Sequence, residues 1–203
     1  MVSSPTVASS SLPWAGDGVD PESPNRNLAP ITAELDPQGR LQVGGCVLSE
    51  LAQRYGTPLY VLDEQSLRQA CRAYKEALER HYPGPSLALY ASKANSSLAI
   101  TALVAAEGLG LDAVSAGELL TALEGGMPLE RIVLHGNNKS AEELSLALQN
   151  GVTIVVDNWR DIELLQELAE GRSESVPLLL RFTPGIECHT HEYIRTGHLD
   201  SKF

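Results

Sequence analysis

The chain has 203 residues, with 15 Lys and Arg against 26 Asp and Glu, for a formal net charge of −11. That surplus of carboxylates argues against nucleic acid or an anionic membrane surface as the main partner, since both need clustered positive charge. With 43% hydrophobic and 20% charged residues the composition is that of a globular protein able to bury a core, and no apolar run approaches the roughly 20 residues needed to cross a bilayer.

Residues 1–30 are rich in Ser, Pro and Asn, and Arg26 is their one basic residue among Asp17, Asp20 and Glu22. They lack the apolar block of a secretory signal and the basic character of a transit peptide, and read as a disordered tail. The three cysteines, Cys46, Cys71 and Cys188, are widely spaced and form no C-x-x-C pair. This usage fits a reducing, cytoplasmic compartment better than a disulfide framework or a structural zinc site.

Residues 31–63 form an N-terminal segment. Leu48 to Tyr55 is a short helix stopped at Gly56, and the apolar run Pro58 to Leu62 is a strand. Asp63 then caps a long helix from Glu64 to His81. From Leu87 the pattern becomes regular: apolar runs start at Leu87, Leu111, Ile132, Thr153 and Leu178, each a candidate buried strand. Between them lie helical segments: Ser96 to Glu107, Ala116 to Glu124, Ala141 to Gln149 and Trp159 to Glu170, each stopped by glycine or Asn-Gly. Ser115-x-x-Glu118 and Ser140-x-x-Glu143 have the spacing of capping boxes.

Five apolar strands alternating with helices imply an α/β fold with a parallel sheet. Such a rhythm fits an open doubly wound sheet or a closed eight-stranded barrel. A barrel of this kind typically needs about 250 residues, so residues 64–203 would supply a partial (β/α)8 barrel of about five units. In either architecture the carboxyl ends of the strands carry the site. Lys93, Asp112, Ser115, His135 with Asn137 and Asn138, Asp157 and Arg181 all fall there.

Lys93 closes the first strand of the series, where loss of solvation would favour the neutral amine that carbonyl chemistry needs; a solvated loop lysine is the bland alternative. Arg181 needs an anion or a carboxylate such as Asp112 or Asp157. His135 reads either as a hydrogen-bonded strand-end histidine or as a flat partner for a ring-shaped cofactor, and Glu118 as part of its helix cap. Cys188-His189-Thr190-His191-Glu192 contains zinc-type ligands, but its spacing fixes no ligand geometry, and a polar lid is the preferred reading over a metal site. Gly108-Leu109-Gly110-x-x-Ala113 matches a dinucleotide fingerprint only formally, because it closes a helix and opens a strand.

Four segments, YASKAN (Tyr90 to Asn95), GLGLDAVSAGEL (Gly108 to Leu119), HGNNKS (His135 to Ser140) and RFTPGIECHTHEYIRTGHLDSKF (Arg181 to Phe203), closely resemble the diaminopimelate decarboxylases in order and spacing. These are pyridoxal phosphate enzymes of the alanine-racemase-like barrel class, and the resemblance covers roughly residues 45–203. It implies that Lys93 bonds covalently to pyridoxal 5'-phosphate, that Asp112, His135 and Arg181 line the cofactor pocket, and that the amino-acid substrate meso-diaminopimelate is decarboxylated to L-lysine. It also implies that His189 to Gly197 covers the site and holds no metal. The strand at Pro58 to Leu62 would belong to a second β-domain absent from this chain. The full-length form would be a homodimer with shared sites, its phosphate-binding, substrate-selecting and cross-subunit residues lying beyond Phe203. A related decarboxylase of ornithine or arginine, a non-catalytic pyridoxal phosphate-binding barrel, and a metal-dependent barrel hydrolase using His189 and His191 are the competing readings.

Overall fold

The computed structural model describes residues 28–182. The expected tail falls largely on residues 1–27, and the Cys188 to Glu192 string and the His189 to Gly197 loop fall after 182, so these expectations lie outside the described residues. Two compact units are present, one ending at Ser86 and the other beginning at Leu87.

The first unit opens with an antiparallel meander, β1 (Glu34–Leu35), β2 (Leu41–Val43) and β3 (Cys46–Val47). Gly44 and Gly45, at φ 58° and 75°, join β2 to β3. Two consecutive residues with positive φ make the two-residue hairpin turn whose twist matches the strands it joins, which is why both positions are glycine. This meander was not expected from the sequence; the Gly-Gly pair between two short apolar stretches was its one local signal.

Helices α1 (Leu48–Tyr55) and α2 (Glu64–His81) have the expected bounds. The expected strand at Pro58 to Leu62 does not form. A strand requires a ladder partner for its backbone, and none pairs with this run among the described residues, where Tyr60 is 98% exposed. Helix α2 lies in the first unit, tied to it by Ile31 N–H donating to Ser66 Oγ (3.0 Å) and Thr32 Oγ1 donating to Asp63 Oδ1 (2.8 Å).

Asp63 caps α2 by accepting from Ser66 N–H at 2.9 Å and Ser66 Oγ–H at 2.6 Å. Burial alone would raise its carboxyl, but the bonds from the Ser66 hydroxyl, the Thr32 hydroxyl and the Ser66 and Gln65 amides outweigh burial and hold it below the usual carboxylate range. A depressed folded-state value means that the cap's stabilisation is complete above the unfolded carboxyl's titration near pH 4 and is lost as pH falls through the folded one. Asp63→Ala is therefore expected to cost about 1 kcal/mol at neutral pH. In melts carried progressively into acid the gap between variant and wild type should narrow as the folded carboxyl is protonated; a gap independent of pH would assign the loss to packing.

The second unit is a five-stranded parallel sheet in the order β4 (Leu89–Ala91), β5 (Gly110–Ala113), β6 (Ile132–Leu134), β7 (Thr153–Val156) and β8 (Leu178–Leu180). It alternates with α3 (Leu98–Ala106), α4 (Ala116–Glu124), α5 (Ala141–Asn150) and α6 (Trp159–Leu168). All five expected strands and four helices are present, with ends shifted by a few residues. The fully buried Leu111, Leu119, Ile132, Leu134, Leu144 and Ile154 place the core between the central strands and the helices packed on them. Burial of each such side chain contributes roughly 1.5–3 kcal/mol, which is why the apolar runs were legible as strands.

Of the two capping boxes, Ser140 forms the reciprocal one: its Oγ accepts from Glu143 N–H at 3.2 Å, and Glu143 Oε2 accepts from Ser140 N–H at 2.9 Å. Ser115 also accepts from Glu118 N–H, but Glu118 Oε2 takes the Val114 amide, one residue before the cap, so that box is only half formed.

Gly110 starts β5 where the backbones crowd. A Cβ there would fall on the Arg131 carbonyl oxygen and 2.6 Å from Leu89 Cδ2. Since the carbonyl belongs to the chain entering β6 and cannot give way cheaply, Gly110→Ala is expected to destabilise by about 3 kcal/mol, read from denaturant unfolding. A loss under about 0.5 kcal/mol, the size of an ordinary surface substitution, would contradict this packing.

Candidate active site

The parallel ladder aligns the strand ends. Ala91 sits opposite Asp112, and Ala113 opposite Leu134, so His135 follows directly with its N–H donating to Ala113 O at 2.7 Å. Val156 sits opposite Leu180, and Arg181 N–H donates to Val156 O at 2.9 Å, bringing Arg181 beside Asp157. Register alone thus gathers residues far apart in sequence, and Lys93, Asp112, His135 and Arg181 together line one cleft of about 420 Å³. A cleft of about 520 Å³ in the first unit has Asp63 in its wall, but that carboxylate is already committed to capping α2.

Lys93 lies in a 3₁₀ turn, Ser92–Ala94, immediately after β4. Ser92 is buried while Lys93 is exposed, so the desolvation expected for its amine is not seen. Its position meets the other half of the expectation: it opens onto the same cleft as the strand-end polar groups.

His135 lies between Asp112 and Arg181. Its Nδ1 is 3.3 Å from Asp112 Oδ1, and its Nε2 is 3.2 Å from Arg181 Nη1. A guanidinium only donates, so the contact with Arg181 makes Nε2 an acceptor, which in a neutral ring puts the proton on Nδ1, on the side of Asp112. Arg181 Nε is in turn 3.5 Å from Asp157 Oδ1. Of the two carboxylates considered for Arg181, Asp157 is the one it meets, while Asp112 meets the histidine.

Two groups were not singled out from the sequence. Lys139 and Asp161 pair at 2.8 Å with both side chains only 2% exposed, and Lys139 reaches the cleft wall. Its place in the HGNNKS run gave no hint that its ammonium turns inward. The His135 to Ser140 loop can bury it because Gly136, at φ 102°, lets the chain fold back over the lysine stem.

The cleft suits an anionic, ring-shaped carbonyl compound such as pyridoxal phosphate. It offers an amine at the rim, an imidazole and a guanidinium in the wall, and one buried oxygen, Asp112 Oδ1, that receives no hydrogen bond among the described residues. Buried oxygens are rarely left this way; the His135 Nδ1 atom 3.3 Å away is not aligned for a hydrogen bond, so this oxygen can accept from a donor on a bound group. Three or more His, Cys, Asp and Glu side chains placed to hold a metal ion are not found among the described residues.

The pyridoxal binding domain of the pyridoxal-dependent decarboxylases matches residues 64–203. A diaminopimelate decarboxylase from Synechocystis is 51% identical over 189 residues, covering 89% of this chain and 40% of the relative. Among solved structures, a diaminopimelate decarboxylase from M. jannaschii superposes with a TM-score of 0.72 at 35% identity, over 79% of this chain and 38% of that one. The Helicobacter pylori enzyme complexed with L-lysine does so with a TM-score of 0.69 at 35% identity, over 77% and 39%. The chain therefore spans about two fifths of the length of these relatives. A parallel α/β unit with a lysine at the end of its first strand, matched along most of the sequence, belongs to the pyridoxal-dependent decarboxylase family and carries that family's pyridoxal binding domain.

Proposed function

We propose that the protein serves the decarboxylation of meso-diaminopimelate to L-lysine and carbon dioxide. The observation that carries this reading is the convergence of Lys93, Asp112, His135 and Arg181 on one cleft at the carboxyl ends of the parallel strands. The relatives named as diaminopimelate decarboxylases, and the neighbour complexed with L-lysine, supply the substrate class.

Pyridoxal phosphate, when bound, supplies the electron sink for the bond that breaks to carbon dioxide. Lys93 Nζ is the amine that would hold the cofactor aldehyde. His135 presents a ring flanked on both sides, by Asp112 at Nδ1 and Arg181 at Nε2. Arg181, anchored on Asp157, keeps positive charge in the pocket wall and holds the histidine proton on the side of Asp112. Overall, one carboxylate leaves as carbon dioxide and the carbon that bore it gains a proton, which balances the reaction to lysine.

The strand order runs in chain order with no reversal. A doubly wound sheet reverses its order at a switch point, so we read the sheet as five strands of an eight-stranded barrel. A cytoplasmic setting is in keeping with the acidic composition and the wide spacing of Cys46, Cys71 and Cys188 in the sequence. A homodimer with shared sites follows from the family resemblance.

The test is release of carbon dioxide from diaminopimelate, ornithine and arginine by protein loaded with pyridoxal phosphate. Release from diaminopimelate alone is expected. Preference for ornithine or arginine would move the assignment to a related decarboxylase, and covalent cofactor binding without release from any of the three would leave a binding protein.

A further inference from the structure

We propose that the buried Lys139–Asp161 pair is a positioning device that fixes the orientation and tautomer of His135. The pair closes a ring of interactions around the exits of β6 and β7. From the His135 ring the ring runs through Arg181 Nη1 at 3.2 Å to Arg181 Nε, which is 3.5 Å from Asp157 Oδ1. The backbone N–H of Asp157 donates to Asp161 Oδ2 at 3.1 Å, and the same oxygen lies 2.8 Å from Lys139 Nζ. Lys139 Nζ donates to Gly136 O at 2.6 Å, one residue from His135, which closes the circuit.

Each link holds one side of the histidine. Lys139 fixes the loop that leaves β6 by its grip on Gly136. Asp161 fixes the chain that leaves β7 by its grip on Asp157, and so the carboxylate on which Arg181 rests. Asp161 is itself set by its place in the first turn of α6, where its N–H donates to Asn158 Oδ1 at 3.0 Å. Because both charges are almost wholly buried, the pair has little freedom to form elsewhere, and its partner groups are held with it. A ligand-orienting second layer of this type fixes which ring nitrogen of a histidine carries the proton. The other charged groups lining the cleft stand apart from the His135 ring: Lys93 is at the exposed rim, and Glu143 is engaged by the amides of Ala116 and Ser140.

This inference deepens the reading of the cleft as a cofactor pocket, yet its experiment uses no cofactor, so the two can fail separately. Protein labelled with ¹⁵N-histidine has five histidines, and the resonances lost in His135→Gln identify the ring of interest. At a pH where that ring is neutral, the wild type is expected to show the form protonated at Nδ1. Asp161→Asn keeps an oxygen for the Asp157 N–H but removes the charge opposite Lys139, and Lys139→Met removes the ammonium. Either is expected to shift the tautomer ratio of His135 by about tenfold toward the Nε2-protonated form.

A purely structural pair would lower the melting temperature and leave the His135 nitrogens unchanged, and that result overturns the proposal. A wild-type ring already divided between both tautomers overturns it as well. Should neither single variant fold, the double variant Lys139→Met with Asp161→Leu buries no charge, and its His135 nitrogens decide by the same criterion.

Discussion

Lys93→Ala is expected to lose covalent capture of pyridoxal phosphate entirely. Wild-type protein incubated with the cofactor should develop a visible absorption band and, after borohydride reduction, retain the cofactor mass on the peptide containing Lys93. The alanine variant should show neither. The prediction rests on geometry: Lys93 is the amine that β4 delivers to the rim of the cleft, and the cleft's other lysine, Lys139, is committed to Asp161 and Gly136 O. Lys93→Arg separates chemistry from charge, because a guanidinium keeps the positive charge but does not provide a nucleophilic amine at ordinary pH. It should be as silent as the alanine variant. A band that survives in either variant would transfer the role to another amine and remove Lys93 from the reaction.

Lys139→Met has the second largest expected effect, this time on stability. The substitution leaves the Asp161 carboxylate 2% exposed with its counter-charge gone. Removing one partner of a buried pair typically costs about 3–5 kcal/mol, because the remaining charge stays desolvated. For a chain of this size that corresponds to a fall in melting temperature of roughly 10 °C. Replacing both partners, with Met at 139 and Leu at 161, should recover most of the loss, short of the hydrogen bond that Asp161 accepts from Asp157 N–H. A single variant melting within about 1 °C of wild type would show that water reaches the pair and that its charges are not held dry.

The two predictions sample different kinds of legibility. Lys93 could be placed from the sequence because an apolar run ends just before it, and parallel sheets put functional residues at such ends. Asp112, His135 and Arg181 followed by the same rule, and the ladder register then brought all four to one cleft. Lys139 and Asp161 were missed because each looks ordinary on its own: one sits in a polar loop and the other in the acidic first turn of a helix, where solvent exposure is usual. Only the fold-back at Gly136 and the approach of α6 make them a buried pair.

Pro58 to Leu62 shows the opposite failure. Its composition favours a strand, but strand formation depends on a neighbour, and no ladder partner is present among the described residues. The meander from Glu34 to Val47 formed from pieces too short to signal themselves, because its hairpin turn and the cap around Asp63 supply bonds that the individual strands do not advertise.

The sequence by itself determined the alternation of five strands and four helices in the second unit, and the positions where polar residues emerge from the strand ends. Both arise from short-range causes, the period of apolar residues and the caps and glycines that start and stop each segment. The tertiary structure decided which side chains meet: His135 with Asp112 and Arg181, Arg181 with Asp157, and Lys139 with Asp161. Those pairings depend on strand register and on how far each helix lies from the sheet, and neither quantity is encoded in any single stretch of chain.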